Sequence, residues 1–435
     1  MRKVILRRDR FISPFNEPAR DLRVTNKPLW LHQRDVLAPY TTEEREAAGL
    51  ADLPAGPVET LVHADNLWFN EGYLSAFMAQ ARSAGVPCRA AVPADDRAFC
   101  QHALPVAESY EQVGDAYCAD LWYLPRGVEP GVPPRPVPVP FEPREVGYYH
   151  IPTYMAKEQG DLVFQVPTRS LIAVDNWVHI FIADVVFELF ARGRRVEDRL
   201  DRDLGYKLRI LWRALYEQKQ VLSCSALVQI GRDCAIDPTA VIPGPTTIGD
   251  NCTIGAGVVI ENCEIGSHVN ISQGCQLMLS TVGDGCFLPF RAALFMSTLM
   301  ENSMVAQNTC LQMCVIGRDT FIGAGNTFTD YNLIDLPLRT AVGARPLGDE
   351  AGPALAETNR PVLGGCVGHN CRLGSGLVVY PARTVESDVV LFASPERRVI
   401  DKNVTYEQSD HHRTRAAHLH PRLYPREGEE RRVSW

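Results

Sequence analysis

Residues 248–290 read IGDNCTIGAGVVIENCEIGSHVNISQGCQLMLSTVGDGCFLPF. An aliphatic side chain returns there at every sixth position or, once per cycle, at the fifth. Ile248, Ile254 and Ile260 are followed by Ile265, Ile271 and Leu277, then by Val282, Leu288 and Leu294, so each set begins 17 residues after the last. The same phase reaches back to Ile230, Ile236 and Ile242, and forward through Leu299, Val305 and Leu311 to Ile316, Ile322 and Phe328. One coil is therefore two six-residue sides and one five-residue side, the period of a triangular left-handed parallel β-helix. Stacked coils bury a continuous aliphatic column that no single coil could bury alone.

Small residues keep the same period. Cys234, Ala240, Thr246, Cys252, Cys275, Cys286, Ala292, Thr309 and Thr320 follow the long-side aliphatics by four, and Cys263, Ser280, Ser297 and Cys314 recur at 17 on the short side. These are tight corners, and free Cys fills them as a small apolar group. The 13 cysteines are thus read as free thiols rather than a disulfide framework or a zinc site. Gly231, Gly249, Gly255, Gly266, Gly283, Gly317 and Gly323 are expected at turns that need a permissive backbone. The repeat breaks near Asp335 and resumes at Val362, Val367, Leu373 and Val379, which makes 335–361 a loop leaving the coil. It ends before Pro395, and a tail over 395–435 carries His411, His412, His418 and His420.

Upstream the signals change. Val4–Leu6, Glu59–Val62, Cys88–Val92 and Leu121–Leu124 read as short strands, and Glu71–Ala84 as a helix with Tyr73, Phe77 and Ala81 on one face. Strands alternating with helices imply an α/β sheet, Rossmann-like in class. Eight prolines between Pro125 and Pro143 suggest an extended crossing. Val178, Ile182, Val185, Val186, Leu189 and Phe190 have helical spacing. The stripe Leu200, Leu204, Leu208, Leu211 and Leu215 predicts a linking helix over 196–222. The expected domains are then 1–195, the linking helix, the coil over 223–394 and the tail.

The 435 residues carry a formal charge of -8, which argues against nucleic acid as a partner. No apolar run is long enough to span a membrane, and Met1–Arg10 lacks the apolar core of a signal peptide. The expectation is a cytoplasmic protein that does not enter membranes.

An α/β domain, a linking helix and a hexapeptide β-helix in that order resemble bifunctional N-acetylglucosamine-1-phosphate uridylyltransferase/glucosamine-1-phosphate acetyltransferases and related sugar nucleotidyltransferases. Pro14-Phe15, Arg20-Asp21-Leu22-Arg23 and Lys27-Pro28-Leu29 look like that family's N-terminal signature. His63-Ala64-Asp65-Asn66 and Val174-Asp175-Asn176 look like its two metal-binding segments. The resemblance implies Lys27 on phosphate, Arg20 and Arg23 at the substrate, and Mg²⁺ on Asp65 with Asp175 or Asn176. The ion would offset charge as a sugar phosphate attacks a nucleoside triphosphate. Asp65 serves equally well as a turn or helix-cap residue. In the coil, Ile316-Gly317 through Ile322-Gly323-Ala324-Gly325 and Asp330-Tyr331-Asn332 resembles the family's acetyltransferase stretch, which implies Asp330 and Tyr331 at the substrate, and counting back from it puts the general-base position at Gln307. The upstream lysine position falls near Phe295-Met296. A homotrimer and acyl-coenzyme A are implied as well.

Two departures stand out. Where the family has a glycine-rich loop, this chain has Arg7-Arg8-Asp9-Arg10-Phe11-Ile12. Gln307 is a neutral amide, which cannot accept a proton near pH 7. His369 is the remaining coil histidine with a catalytic position open to it, or else a coil-edge residue. A zinc hydratase on the same helix needs three histidines, and the coil offers His268 and His369. Three readings follow: a nucleotidyltransferase, an acyltransferase with another base, and a non-catalytic scaffold.

Overall fold

The computed structural model describes residues 1–53, 56–128, 132–150, 152, 161–332, 337–342, 355–415 and 417–429. The chain forms two units, Met1–Arg10 with Pro18–Phe187 and Phe11–Glu17 with Glu188–Trp435. The first boundary therefore falls at Phe187 rather than 195, and a short N-terminal segment belongs with the second unit.

The first unit is built on a mixed sheet. Its strands run in the order Arg135–Pro138, Cys88–Pro93, Ala116–Leu124, Thr60–Ala64, Arg2–Leu6 and Glu43–Ala47, with Glu111–Val113 paired to Ala116–Leu124. Arg2–Leu6 lies parallel to both its neighbours, while Ala116–Leu124 runs antiparallel to Thr60–Ala64 and Cys88–Pro93. Val4, Leu6 and Val62 are fully buried, each burial worth roughly 1.5–3 kcal/mol as an upper estimate. Helix α1 (Leu29–Leu37) and helix α2 (Glu71–Ala84) also belong to this unit. Asn70 caps α2 by accepting the Tyr73 N–H, and Gly85 ends it in the left-handed region at φ 64°, as a cap without Cβ permits.

The proline-rich stretch is more than a crossing. Arg135–Pro138 pairs in parallel with Cys88–Ala91, and Arg135 and Val139 donate backbone N–H bonds to Pro87 and Ala91. Prolines 136 and 138 alternate with those donors and sit on an edge strand, where a missing N–H costs nothing.

The first unit ends in a helical stretch that begins with α3 (Trp177–Phe181), and the second unit contains α4 (Ala191–Arg202). The single linking helix expected over 196–222 is broken: Asp203 leaves the helical region, and its carboxylate accepts the Tyr206 N–H to start α5 (Leu204–Glu217). Three parallel sheets follow, of eight, eight and seven strands. Their register matches the repeat, with Ile248 opposite Ile265, Ile265 opposite Val282 and Leu277 opposite Leu294. After the excursion Ile316 pairs with Val367 and Phe328 with Val379. The coil resumes at Cys366–Val367, while Val362 bridges back to Tyr331. Of the 335–361 loop, residues 335–336 and 343–354 lie outside the described residues. Its described part holds a hairpin of Arg339–Ala341 with Leu355–Glu357. The third sheet runs on to Val399–Ile400, past the expected end at 394.

All thirteen cysteines are free thiols. On the short side two of them flank a pair of serines in a ladder: Ser280 N–H donates to Cys263 Sγ, Ser297 N–H to Ser280 Oγ, and Cys314 N–H to Ser297 Oγ. The post-aliphatic glycines serve close stacking rather than a left-handed backbone. A Cβ on Gly283 would stand 2.5 Å from Glu301 N and 2.8 Å from Met300 C. The left-handed corners fall elsewhere, at Asn251, His268, Asn302 and Asp319, which recur at 17 or 34 residues. His268 is one of these corners.

Candidate functional site

In the first unit the fold joins the two segments singled out for metal binding. Leu67–Phe69 pairs antiparallel with Leu171–Ala173, and Val174 N–H donates to the Asn66 carbonyl at 2.8 Å. Asp65, Asn66, Asp175 and Asn176 are all buried there.

The lone pairs of Asp175 are filled, and those of Asp65 are partly so. Asp175 Oδ1 accepts from Asn66 Nδ2 at 3.0 Å and Ser109 Oγ at 2.6 Å, and Oδ2 accepts the N–H groups of Glu108 and Ser109, both at 2.8 Å. Four acceptor sites are what a carboxylate has. Arg10 Nη1 adds charge at 3.4 Å. Asp65 accepts the N–H of Arg8 at 3.1 Å and of Asp9 at 3.4 Å, with Arg7 Nε 3.4 Å from Oδ2. Burial raises its pKa against the pull of those N–H groups. Asp9 lies at φ 44°, and its left-handed turn accompanies two successive N–H groups directed at one carboxylate, an arrangement like an anion nest. Here the anion is the protein's own Asp65. Asn176 Oδ1 accepts the Val178 N–H and caps α3.

The arginines of the loop also pair outward, Arg8 with Asp120 at 2.6 Å, Arg7 with Asp9 and Glu46, and Arg10 with Glu108. Lys27 pairs with Asp35 at 3.1 Å and stands half exposed; Arg20 meets Glu46 and Asp21, and Arg23 donates to the Asn26 carbonyl. A Mg²⁺ ion needs free carboxylate oxygens, and this donor set does not fit it. Among the described residues no group of three or more His, Cys, Asp or Glu is arranged to hold a metal.

The second unit gives His369 a comparable fate. Its ring is fully buried, between Phe15 at 4.9 Å and Tyr424 at 4.7 Å between centroids. The Arg318 N–H donates to Nδ1 at 3.0 Å, so Nε2 carries the proton and donates to Glu17 Oε2 at 3.2 Å. Burial lowers the His369 pKa against the pull of Glu17. Burial also opposes the Glu17 carboxylate, yet bonds from His369 and Arg318 hold its pKa below the usual value. Arg318 reaches Glu17 at 2.8 Å and Glu301 at 3.1 Å. With Nδ1 accepting and Nε2 donating, the His369 ring has no lone pair open to a substrate proton.

The same locus explains Pro14-Phe15. Ser387 N–H donates to the Pro14 carbonyl, and Ser387 Oγ lies 2.9 Å from the Phe15 carbonyl. Asn16 donates to Glu386 Oε1 and the Tyr424 carbonyl. This pair docks an N-terminal segment onto the late coils instead of shaping a nucleotide site. Sequence reading missed Glu17, Arg318 and Ser387, which no local pattern singles out.

Gln307 is half-buried at a corner, its carbonyl accepting the Gly325 N–H. Asp330 is buried, within 2.9 Å of the Gln312 amide once that amide is turned to donate. Its carbonyl accepts the Leu363 N–H, so Asp330 and Tyr331 mark where the excursion leaves and returns.

The model of the bacterial transferase hexapeptide (six repeats) matches residues 228–262. The "Bifunctional protein GlmU" of Geotalea uraniireducens is 31% identical over 134 residues, 27% of this chain and 29% of that protein. GlmU of Synechococcus sp. (strain CC9605) is 23% identical over 242 residues, 51% of each chain. This chain resembles GlmU-like hexapeptide transferases. It spans between about a third and a half of the length of the curated relatives it matches. The polysialic acid O-acetyltransferase OatWY aligns over 41% of this chain and 80% of its own at 15% identity, with a TM-score of 0.19.

Proposed function

We propose that this chain is a hexapeptide-transferase relative whose nucleotidyl-transfer site is closed by its own arginine loop, and that it serves as a non-catalytic scaffold. The observation that carries this is Asp175, whose four acceptor sites go to Asn66, Glu108 and Ser109 with Arg10 of the loop 3.4 Å away, where a metal would need them open. Asp65 accepts two N–H groups of the loop and lies beside Arg7. The β-helix, rigid through its stacked core, would present partners on its flanks. Association as a homotrimer, as the resemblance implies, would multiply those surfaces, and a light-scattering mass near one subunit would count against it.

The test is pyrophosphate release with Mg²⁺ across nucleoside triphosphates and sugar-1-phosphates. Silence across the panel is expected. Release that disappears in Asp65→Ala would overturn the proposal and restore a sugar-1-phosphate nucleotidyltransferase.

One observation favours a second reading. A cavity of about 350 Å³ beside the last coil strand is lined by Arg397, Lys402 and Arg413, which outnumber Asp401 and Glu407 in the same lining, a net positive set that suits the phosphates of acyl-coenzyme A. Thiol release with a sugar amine, lost in Lys402→Glu, would establish an acyltransferase using a base other than His369.

A further inference from the structure

Helix α5 has two faces, and the fold uses one. Ile210 and Ala214 are buried with Cys224 and Leu227, against Val196, Leu200 and Tyr206. On the other face Leu204, Leu208, Leu211, Trp212, Leu215 and Tyr216 are between 40% and 77% exposed. At about 100° per residue these six fill an arc of about 140°. Lys207 borders the arc on one side, and Arg209 and Arg213 border it on the other, next to Trp212 and Tyr216.

We propose that this face of α5 lies on an anionic lipid surface. A helix of 14 residues is too short to cross a bilayer, and no helix among the described residues is long and apolar enough to do so. An apolar arc carrying Trp and Leu, flanked by Lys and Arg, has instead the composition of a helix lying in the interface. The surrounding charge agrees. Residues 191–219 hold nine Lys or Arg against five Asp or Glu, in a chain whose formal charge is -8. Part of that positive charge is paired locally, Lys207 with Asp201 at 3.9 Å and Arg213 with Glu217 at 2.5 Å. Arg209 stacks over Tyr206 at 5.3 Å and forms no ion pair among the described residues. A second copy of the chain would satisfy the Leu and Trp side chains, but it would bring two positively charged hairpins together. Anionic headgroups complement them. The inference does not depend on whether either transferase site is active.

Flotation of the full chain with vesicles of phosphatidylcholine, alone or mixed with phosphatidylglycerol, tests this. Binding to the mixed vesicles is expected, weakening as salt rises. The bound fraction should fall by about tenfold or more in Leu208→Glu/Trp212→Glu, and partly in Arg209→Glu. Absence of binding, or binding unchanged in these variants, would overturn the proposal. So would a light-scattering mass that drops in the double variant, which would give the face to a second copy. If circular dichroism shows that the double variant does not fold, Lys207→Glu/Arg209→Glu carries the same test through charge alone.

Discussion

Asp175 in the first unit and His369 in the second are each the residue of their unit that most invites a chemical role, and the two are buried by opposite logic. Asp175 is an anion surrounded by four donors and an arginine. His369 is a neutral ring clamped between two aromatics, with one nitrogen accepting and the other donating. The anion is stabilised by saturation and the ring by desolvation together with a fixed tautomer. In both, the hydrogen-bonding capacity that catalysis would need is consumed by structure. A buried titratable residue is a site only where part of that capacity is left over.

The comparison can be broken most sharply at Asp175. Asp175→Ala leaves buried donors without an acceptor and should cost roughly 3–5 kcal/mol, read by chemical denaturation. A loss below about 1 kcal/mol would mean that the cluster is looser than its distances state and that its oxygens are open to a ligand.

A pH series sharpens the desolvation half. His63 is fully buried in the Thr60–Ala64 strand, and burial lowers its pKa to about 4. Because the folded value is depressed, the unfolded chain binds the proton more readily. The stabilisation is therefore complete above pH ~6.5 and lost as pH falls toward 4, roughly 3 kcal/mol in all. Hydrogen exchange of this strand should report that slope, and His63→Gln should flatten it. A slope left intact in the variant would assign it to other groups.

The smallest effect belongs to His369→Ala, at roughly 2–3 kcal/mol. It removes the ring between Phe15 and Tyr424 and leaves the Arg318 N–H unpaired. The expected sign is faster proteolysis within 11–17 in the folded protein. Equal cleavage rates would show that Ser387 and Arg318 hold the segment unaided.

What the sequence disclosed follows from range. The coil was legible because its signal repeats at 17 residues, so each Ile or Leu reports on its neighbours. The glycines after those aliphatics were found by the same period but misread, since the force on them comes from the next coil and not from their own torsions. The break at Asp203 had a local cue, a capping Asp ahead of Leu204, which the continuing leucine stripe concealed. The two motif segments around Asp65 and Asp175 were recognised, and the fold does bring them together. Their engagement by protein donors was hidden because those donors come from Arg8 and Asp9, 57 and 56 positions from Asp65, and from Glu108 and Ser109, 67 and 66 from Asp175. The clamp on His369 reaches 352 residues, to Glu17, and leaves no trace in any local pattern.

That separation has a consequence for synthesis on the ribosome. Phe11–Glu17 emerges hundreds of residues ahead of its partners, which run from Arg318 through Ser387 to Tyr424. The segment therefore waits undocked until the chain through Tyr424 has been made. A recombinant fragment beginning at Glu188 would lack this piece, exposing His369 and leaving Arg318 without Glu17. Supplied in trans as a peptide, residues 11–17 should bind back to it.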